Sequence, residues 1–192
     1  MANRVQFGLK NVHFAPLTVN QTDGTVTYAT PIKMPGAVEL SLEPRGDMVE
    51  FYADDMLYYS ASNNQGYEGT LSIANIPVEF LKEALGEELD ETDGVLSEVA
   101  NAKGKPFALL FEFDGDVKAT RHVLYNCTAS RPTIGSQTKT NSVEVQPNEL
   151  TFVAAPIELD GKIVVKAKTT EQTPPNIYDA WYQSVYRKVP VG

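Results

Sequence analysis

The sequence predicts a mainly β protein, a β-sandwich or barrel with one short flanking α-helix and long loops. Apolar and polar residues alternate with a period of two along most of the chain, which is the pattern of half-buried strands. Turn-forming pairs such as Asp-Gly separate the alternating segments. About eight to ten strands are expected, and only one segment has helical spacing.

The chain has 192 residues, enough for one domain with a sizeable core. We expect the domain to cover residues 1–170 and residues 171–192 to form a C-terminal arm, because Thr173-Pro174-Pro175 is a rigid break. Within the arm, the segment Ile177–Tyr182 fits either a short helix or an extended aromatic arm.

The first strong alternation covers Val38–Leu42 and Val49–Ala53, and the turn-forming residues Glu43–Gly46 lie between them. We predict that the two strands pair as a hairpin, with acidic residues on one face and apolar residues on the other. A further half-buried strand covers Thr70–Ile73.

One short amphipathic helix is predicted between Pro77 and Gly86. Val78, Leu81 and Leu85 have helical spacing, and proline and glycine suit the beginning and the end of a helix. We expect its apolar side to cover an open side of the β core.

The clearest hairpin runs from Phe107 to Tyr125, with Asp114-Gly115-Asp116 at its turn. The remaining expected elements are a polar loop at Arg131–Asn141, strands near Val143–Val145 and Glu149–Ile157, and a hairpin that turns at Asp160-Gly161 and returns through Lys162–Lys168.

The charge balance argues against several functions. Asp and Glu total 25 against 16 Lys and Arg, a formal charge of −9, so the surface repels polyphosphates and anionic lipids.

The lone Cys127 cannot form an intramolecular disulfide, and the N-terminus lacks the apolar region of a secretory signal, so we expect folding in a reducing compartment. No apolar run approaches the roughly 20 residues that span a bilayer.

No catalytic constellation is recognisable. The two histidines, His13 and His122, lie in alternating segments that predict ordinary strand positions, and phosphate-binding and metal-binding motifs are missing. The carboxylate pairs Asp54-Asp55 and Asp114/Asp116 fit turns, although they leave a β-sandwich hydrolase as a remote alternative. We therefore expect no enzyme, no cofactor and no metal.

The acidic stretch Glu87–Glu98 fails as a calcium loop. With Gly94 at the turn position of an EF-hand loop, the first and last ligand positions would fall on Leu89 and Ala100, which have no side-chain oxygen. A solvated acidic loop is the favoured interpretation.

Long strands leave unpaired backbone groups at the sheet edges. The segments around Phe51-Tyr52 and Met56–Tyr59 are apolar and carry little lysine or proline to protect them, so a partner should cover them. Tyrosine and tryptophan are enriched at protein interfaces, as at Tyr58, Tyr59 and Trp181, although core packing explains each one singly as well.

Four segments occur in an order that resembles a known family: FGLKNVHFAPL, the run from SLEPRGDMVEF through GYEGTLSI to FLKEALG, KPFALLFEFDGD with its return strand, and ELTFVAAPI. This order resembles the major tail protein (tail tube protein) family of long, non-contractile-tailed bacteriophages of Gram-positive hosts. The likeness covers Asn3 to Val165, and the chain from Thr169 onward matches nothing in it.

The resemblance implies a structural virion protein that assembles in the host cytoplasm into hexameric rings, which stack into the tail tube. Its implied partners are further copies of itself, the tape-measure protein, the tail terminator and the distal tail or initiator proteins. Genomic DNA would cross the lumen without specific binding, and no membrane is involved. Edge-to-edge pairing around a ring would leave no free sheet edges.

An acidic wall would let DNA pass without holding it. The lumen-facing candidates are the acids whose positions along the strands are opposite to the apolar set, Glu39, Glu43, Glu50, Asp54 and Glu68. The simpler alternative is that the same residues face bulk solvent.

The inter-subunit candidates are Phe7, Tyr58, Tyr59 and Trp181. By the resemblance, ring stacking would use the N-terminal residues Asn3–Phe7, the C-terminal region and two long loops, Tyr59–Tyr67 and Arg131–Asn141.

Two other functions stay open. A β-sandwich binding module for a receptor or a carbohydrate would share the β-rich, acidic composition, and the tube of a phage-tail-like bacteriocin would share the whole argument.

Overall fold

The computed structural model of the chain describes residues 3–136 and 146–188. In chain order its strands are β1 (Gln6–Val19), β2 (Val26–Tyr28), β3 (Ile32–Lys33), β4 (Ala37–Pro44), β5 (Met48–Ala53), β6 (Met56–Ser62), β7 (Tyr67–Ile73), β8 (Glu88–Leu89), β9 (Leu96–Ser97), β10 (Phe107–Gly115), β11 (Thr120–Ala129), β12 (Asn148–Ala154), β13 (Ile157–Leu159), β14 (Lys162–Val164) and β15 (Lys166–Lys168). The helices are α1 (Val78–Phe80), which continues as a π-helical turn over Leu81–Leu85, and α2 (Pro175–Asp179).

The protein is mainly β, as predicted. The main sheet is antiparallel and has the strand order β2-β1-β10-β11-β12-β7-β4, with β3 also paired to β1 and β15 to β11. The other strands form three separate hairpins, β5–β6, β8–β9 and β13–β14.

The first core lies on one face of the main sheet. Phe14 of β1 and Phe152 of β12 both belong to it, so strands from distant parts of the sheet curve around a common interior. Phe80 of the helical segment packs edge-to-face on Phe14 and on Phe107, with ring centroids 5.0 and 5.1 Å apart. The helix therefore covers an open side of this core, as predicted, but through Phe80 and Ala84 rather than through Val78, which is exposed.

A second core lies on the opposite face. Ala108 and Leu110 of β10 alternate with the residues that face the first core, and they pack with Val123 of β11. Trp181 and Val185 cover them from the C-terminal segment. Strand β10 is consequently buried on both faces, which explains its nearly continuous apolar sequence.

The first predicted hairpin is wrong. Strand β4 pairs with β7, whereas β5 pairs with β6 across the turn Asp54-Asp55. Both turn residues have positive φ, 53° and 58°, so a tight two-residue turn closes β5–β6 locally and leaves β4 for β7.

Two predicted loops are shorter than expected. Strand β6 extends to Ser62, so only residues 63–66 of the segment Tyr59–Tyr67 are irregular, and the acidic stretch contains the hairpin β8–β9. The predicted strand at Val143–Val145 and part of the loop at Arg131–Asn141 fall outside the described residues.

The two later hairpins are confirmed in part. Hairpin β13–β14 turns at Asp160-Gly161 as predicted, but the return segment Lys162–Lys168 divides into β14 and β15, and β15 pairs with β11. Hairpin β10–β11 forms, with its connection at residues 116–119 rather than at Asp114-Gly115-Asp116. Gly86 ends the helical segment with φ 79°, in the left-handed region that glycine tolerates. None of the helices in the described ranges is both long and apolar enough to cross a bilayer.

Candidate assembly surface

The most prominent surface feature is a long β-arm, which we define as residues 45–66 with hairpin β5–β6 at its end. It continues the β4–β7 pair beyond Pro44 and Tyr67, through backbone hydrogen bonds from Arg45 N to Gly66 O (2.9 Å) and from Gln65 N to Arg45 O (3.0 Å). Beyond this irregular step the strands pair again from Met48 and Ser62 to the tip at Asp54-Asp55. The arm is therefore an extension of the sheet and not a separate unit.

Large apolar side chains are exposed along the whole arm. Tyr58 is 73% exposed and Phe51 57%, which leaves these rings largely in solvent. The other large apolar residues that are at least half exposed are Met48, Val49, Tyr52, Met56, Leu57 and Tyr59. Exposed apolar side chains concentrated in one place are typical of binding surfaces.

The arm has two different faces. Cross-strand pairs Val49–Ala61 and Phe51–Tyr59 occupy one face, which is apolar. Met48–Ser62 and Glu50–Ser60 occupy the other, where Tyr52 Oη donates a hydrogen bond to Glu50 Oε2 (2.8 Å). The first face is apolar, whereas the second mixes polar side chains with the exposed residues Met48 and Tyr52.

The predicted acidic residues divide between two places. Glu39 and Glu43 of β4 and Glu68 of β7 lie on one exposed sheet face, on which Glu43 is the direct cross-strand partner of Glu68. Glu149 of β12 extends this face, since its register partner Ser72 is also the partner of Glu39. We call Glu39, Glu43, Glu68 and Glu149 the acidic face.

Glu50 and Asp54 do not belong to the acidic face. The former lies on the polar side of the arm, and the latter is the first residue of its turn. Glu50 and Asp54 would share a face with Glu39 only if β4 paired with β5, whereas β4 pairs with β7. The signal that sequence reasoning missed at Glu149 was its exposed, period-two position on a strand whose apolar residues are buried.

The other interface candidates are placed differently from one another. Phe7 of β1 is 57% exposed, opposite Asp114 of β10. Trp181 is only 3% exposed, in the second core, where it stacks on Tyr186. Its indole Nε1 donates to the carbonyl of His122 (3.3 Å), so it is a core residue of its own subunit and not an interface residue.

A buried polar network, which we call the clamp, holds the C-terminal segment on the sheet. Glu112 is 6% exposed and accepts hydrogen bonds from Arg121 Nε (3.1 Å), Tyr182 Oη (3.1 Å) and Asn11 Nδ2 (2.8 Å). The guanidinium of Arg121 also donates to the Tyr178 carbonyl and lies 3.8 Å from the centroid of that ring. Burial, together with the neighbouring Glu112 carboxylate, raises the pKa of Tyr182 well above its usual range.

The histidines and the carboxylate pairs occupy structural positions. His122 stacks on Phe111 at 5.0 Å, and burial, helped by Lys168 and Lys166, lowers its pKa to about 4. Burial also lowers the pKa of His13. Asp114 forms an ion pair with Lys10 beside the β10–β11 turn. Within residues 3–136 and 146–188, no three His, Cys, Asp or Glu side chains come together as a metal site would require.

Comparison with solved structures gives several distant likenesses, of which two are described. The tube-terminating cap of the anti-feeding prophage has 13% identity and a TM-score of 0.48, over 86% of this chain and 93% of that one. A chain of the sheath–tube complex of PVC, an extracellular contractile injection system in its extended state, has 11% identity and a TM-score of 0.44, over 87% and 93%. With TM-scores below 0.5, neither likeness establishes a family or a function.

No protein-family model matches the chain, and no curated protein sequence matches it.

Proposed function

We propose that this chain is a structural subunit that self-assembles into stacked hexameric rings, forming a phage tail tube through which DNA is delivered. The exposed apolar arm is the observation that carries the proposal. It projects from the edge of a complete, well-packed sheet, and a two-stranded hairpin of this kind is marginally stable by itself in water. Packing on neighbouring copies would bury it.

The free edge of the main sheet supports assembly in the same way. Strand β4 is the last strand of its sheet, so the backbone groups on its outer side have no strand partner in the described part of the subunit. Copies arranged in a ring could pair such edges with one another, and closure would remove them. We propose Phe7, Tyr58 and Tyr59 as inter-subunit contacts and leave the buried Trp181 out.

The acidic face is the proposed lumen wall. Glu39, Glu43 and Glu68 are exposed and lie on one side of two paired strands, opposite the residues that pack in the first core. Passing DNA would be repelled by this wall and not held, because carboxylates repel phosphates and cannot neutralise them as Lys and Arg do. Because Glu50 and Asp54 lie on the arm, the proposed wall does not include them.

The remaining assignments belong to the same proposal. A tube of this kind would hold a tape-measure protein during assembly, would be closed by a terminator and initiated by distal tail proteins, and would be part of the virion. Its subunit would act without catalysis.

Electron microscopy of the purified protein, with light scattering over a range of concentrations, tests the proposal. Rings or hollow tubes are expected for the native chain. The triple variant Phe51→Ser, Tyr58→Ser, Tyr59→Ser should stay monomeric, because it removes three of the four aromatic rings of the arm. The triple variant Val19→Ser, Val78→Ser, Val95→Ser is the matched control, because these apolar residues are also 43–54% exposed but lie off the arm and off the other proposed contacts.

Two results would contradict the proposal. One is a native chain that is monomeric at every concentration, both alone and mixed with the distal tail proteins that would initiate the tube. The other is an arm variant that assembles as well as the native chain. An assembled ring whose outer wall carries Glu39, Glu43 and Glu68 would contradict the lumen assignment alone.

A further inference from the structure

An open cleft of about 520 Å³ lies between hairpin β13–β14 and the C-terminal segment. This volume is within the range of about 300–1,000 Å³ that binding pockets occupy. Tyr125, Leu159 and Val164 form part of an apolar lining, and Tyr186 completes it from the C-terminal segment. Because Tyr186 stacks on the buried Trp181 at 5.4 Å, this wall of the cleft is held firmly in place.

The rim of the cleft is basic, although the chain as a whole is acidic. Lys162, Lys166, Arg187 and Lys188 line it, against a single carboxylate, Asp160. That carboxylate is already paired with Arg187, 2.9 Å from its Nη2 atom. Within the described residues, no ion pair engages Lys162 or Lys188, so two cations are available to a ligand with negative charge.

The tip of the arm has the complementary chemistry. Its turn presents two adjacent exposed carboxylates, Asp54 and Asp55. Met56, Leu57 and Tyr58 follow directly, each at least half exposed. The tip thus combines negative charge with apolar side chains, and the cleft combines positive charge with an apolar lining.

We propose that the tip of the arm of one copy docks in the basic cleft of a second copy. The inference rests on the proposed self-assembly and names the contact that would join copies. The two carboxylates would face Lys162 and Lys188, and the apolar side chains of the tip would enter the cleft.

The geometry of the subunit favours docking between copies over docking within one. The base of the arm adjoins the cleft, since the Lys166 ammonium lies 4.2 Å from the centroid of the Tyr67 ring. Six residues of β5 carry the tip about 20 Å away from that base. Because donor and acceptor surfaces differ, the contact is head-to-tail and each copy can both give and receive an arm.

Disulfide trapping tests the contact directly. Subunits carrying Met56→Cys at the tip are mixed with subunits carrying Ala167→Cys in the cleft, which leaves Lys162 and Lys188 in place. The mixture is oxidised and analysed by mass spectrometry for the mixed disulfide. The native Cys127 is fully buried and should not compete. The matched control replaces the cleft variant with Lys103→Cys, an exposed lysine far from the cleft in the chain. Docking should raise the yield of mixed disulfide about tenfold over the control pair.

A second measurement removes charge without changing shape. The double variant Asp54→Asn, Asp55→Asn keeps side chains that tolerate positive φ. It should weaken the association of copies about 2- to 30-fold if each lost ion pair is worth about 0.2–1 kcal/mol. Glu91→Gln, Asp93→Asn in the turn between β8 and β9 is the control and should leave association unchanged.

The outcomes separate this inference from the proposed function. Rings or tubes in which the tip–cleft disulfide does not exceed the control pair would overturn the docking contact and leave self-assembly standing. A native chain that never associates, with no mixed disulfide above control, would overturn both.

Discussion

Replacing Glu112 by alanine should release the C-terminal segment and destabilise the subunit. The carboxylate is nearly inaccessible to solvent and accepts hydrogen bonds from three side chains, on β11, on β1 and in the C-terminal segment. Removing one partner of a buried ion pair costs about 3–5 kcal/mol, because the other charge is left without compensation. Arg121 would keep the Tyr178 carbonyl and ring, so we expect the lower end, about 3 kcal/mol.

The single tryptophan makes this change easy to follow. Trp181 lies in the segment that the clamp holds, so its fluorescence reports docking of that segment while circular dichroism reports the sheet. Glu112→Ala is titrated with urea at a protein concentration where the subunit is monomeric. Its fluorescence transition should shift further toward low urea concentration than its circular dichroism transition. A loss of about 3 kcal/mol corresponds to a fall in melting temperature of about 6–12 °C for a chain of this size.

The control is Glu158→Ala, which removes an exposed carboxylate from the middle of β13. A change within about 0.5 kcal/mol is expected there. If Glu112→Ala were no more destabilising than Glu158→Ala, the clamp would not be what holds the C-terminal segment on the sheet.

Three further changes test other parts of the structure. For His122, whose folded pKa lies below the unfolded value of about 6.5, stability should fall as pH decreases from about 6.5 to 4. Compared with the His122→Gln variant, the native chain should lose roughly 1–2 kcal/mol of unfolding free energy over this pH range, after allowance for partial exposure of the side chain. A stability difference between the two proteins that does not change with pH, measured in urea titrations, would contradict this prediction. Phe80→Ala should cost about 3–5 kcal/mol by opening a cavity in the first core, measured by thermal unfolding. Gly66→Ala should cost more than about 2 kcal/mol in the same assay, because φ is +92° and the new Cβ would lie 1.9 Å from the Ala154 carbonyl oxygen, and a native-like melting temperature would show that the backbone relaxes.

Local patterns predicted the strands well and their partners less well. The β10–β11 hairpin follows from alternation and a single turn, and nothing distant competes with it. The pairing of β4 with β7 joins segments separated by the whole arm, so no turn signal identifies it. The two acidic turn residues with positive φ at Asp54-Asp55 were the available clue, but aspartates fit several turn types.

The second core was hidden for a different reason. The segment Phe107–Phe111 is apolar at every position, which is typical of a strand covered on both faces, and the covering layer comes from the last residues of the chain. Glu112 then becomes a buried partner of Arg121 and Tyr182, although its sequence context suggests an exposed strand position. Burial on the second face depends on long-range packing that periodicity does not specify.

The arm and the two cores separate association from folding. Strands β4 and β7 bury Leu71 and Ile73 in the first core, whereas their continuation into β5–β6 exposes nearly every apolar side chain. The free energy of folding therefore comes mainly from residues that the arm does not contain. Substitutions on the arm should change how copies associate while leaving the unfolding of one copy nearly unchanged, and substitutions at Glu112 or Phe80 should do the reverse. The two cores can therefore fold without the arm, and the arm is left available for the association proposed above.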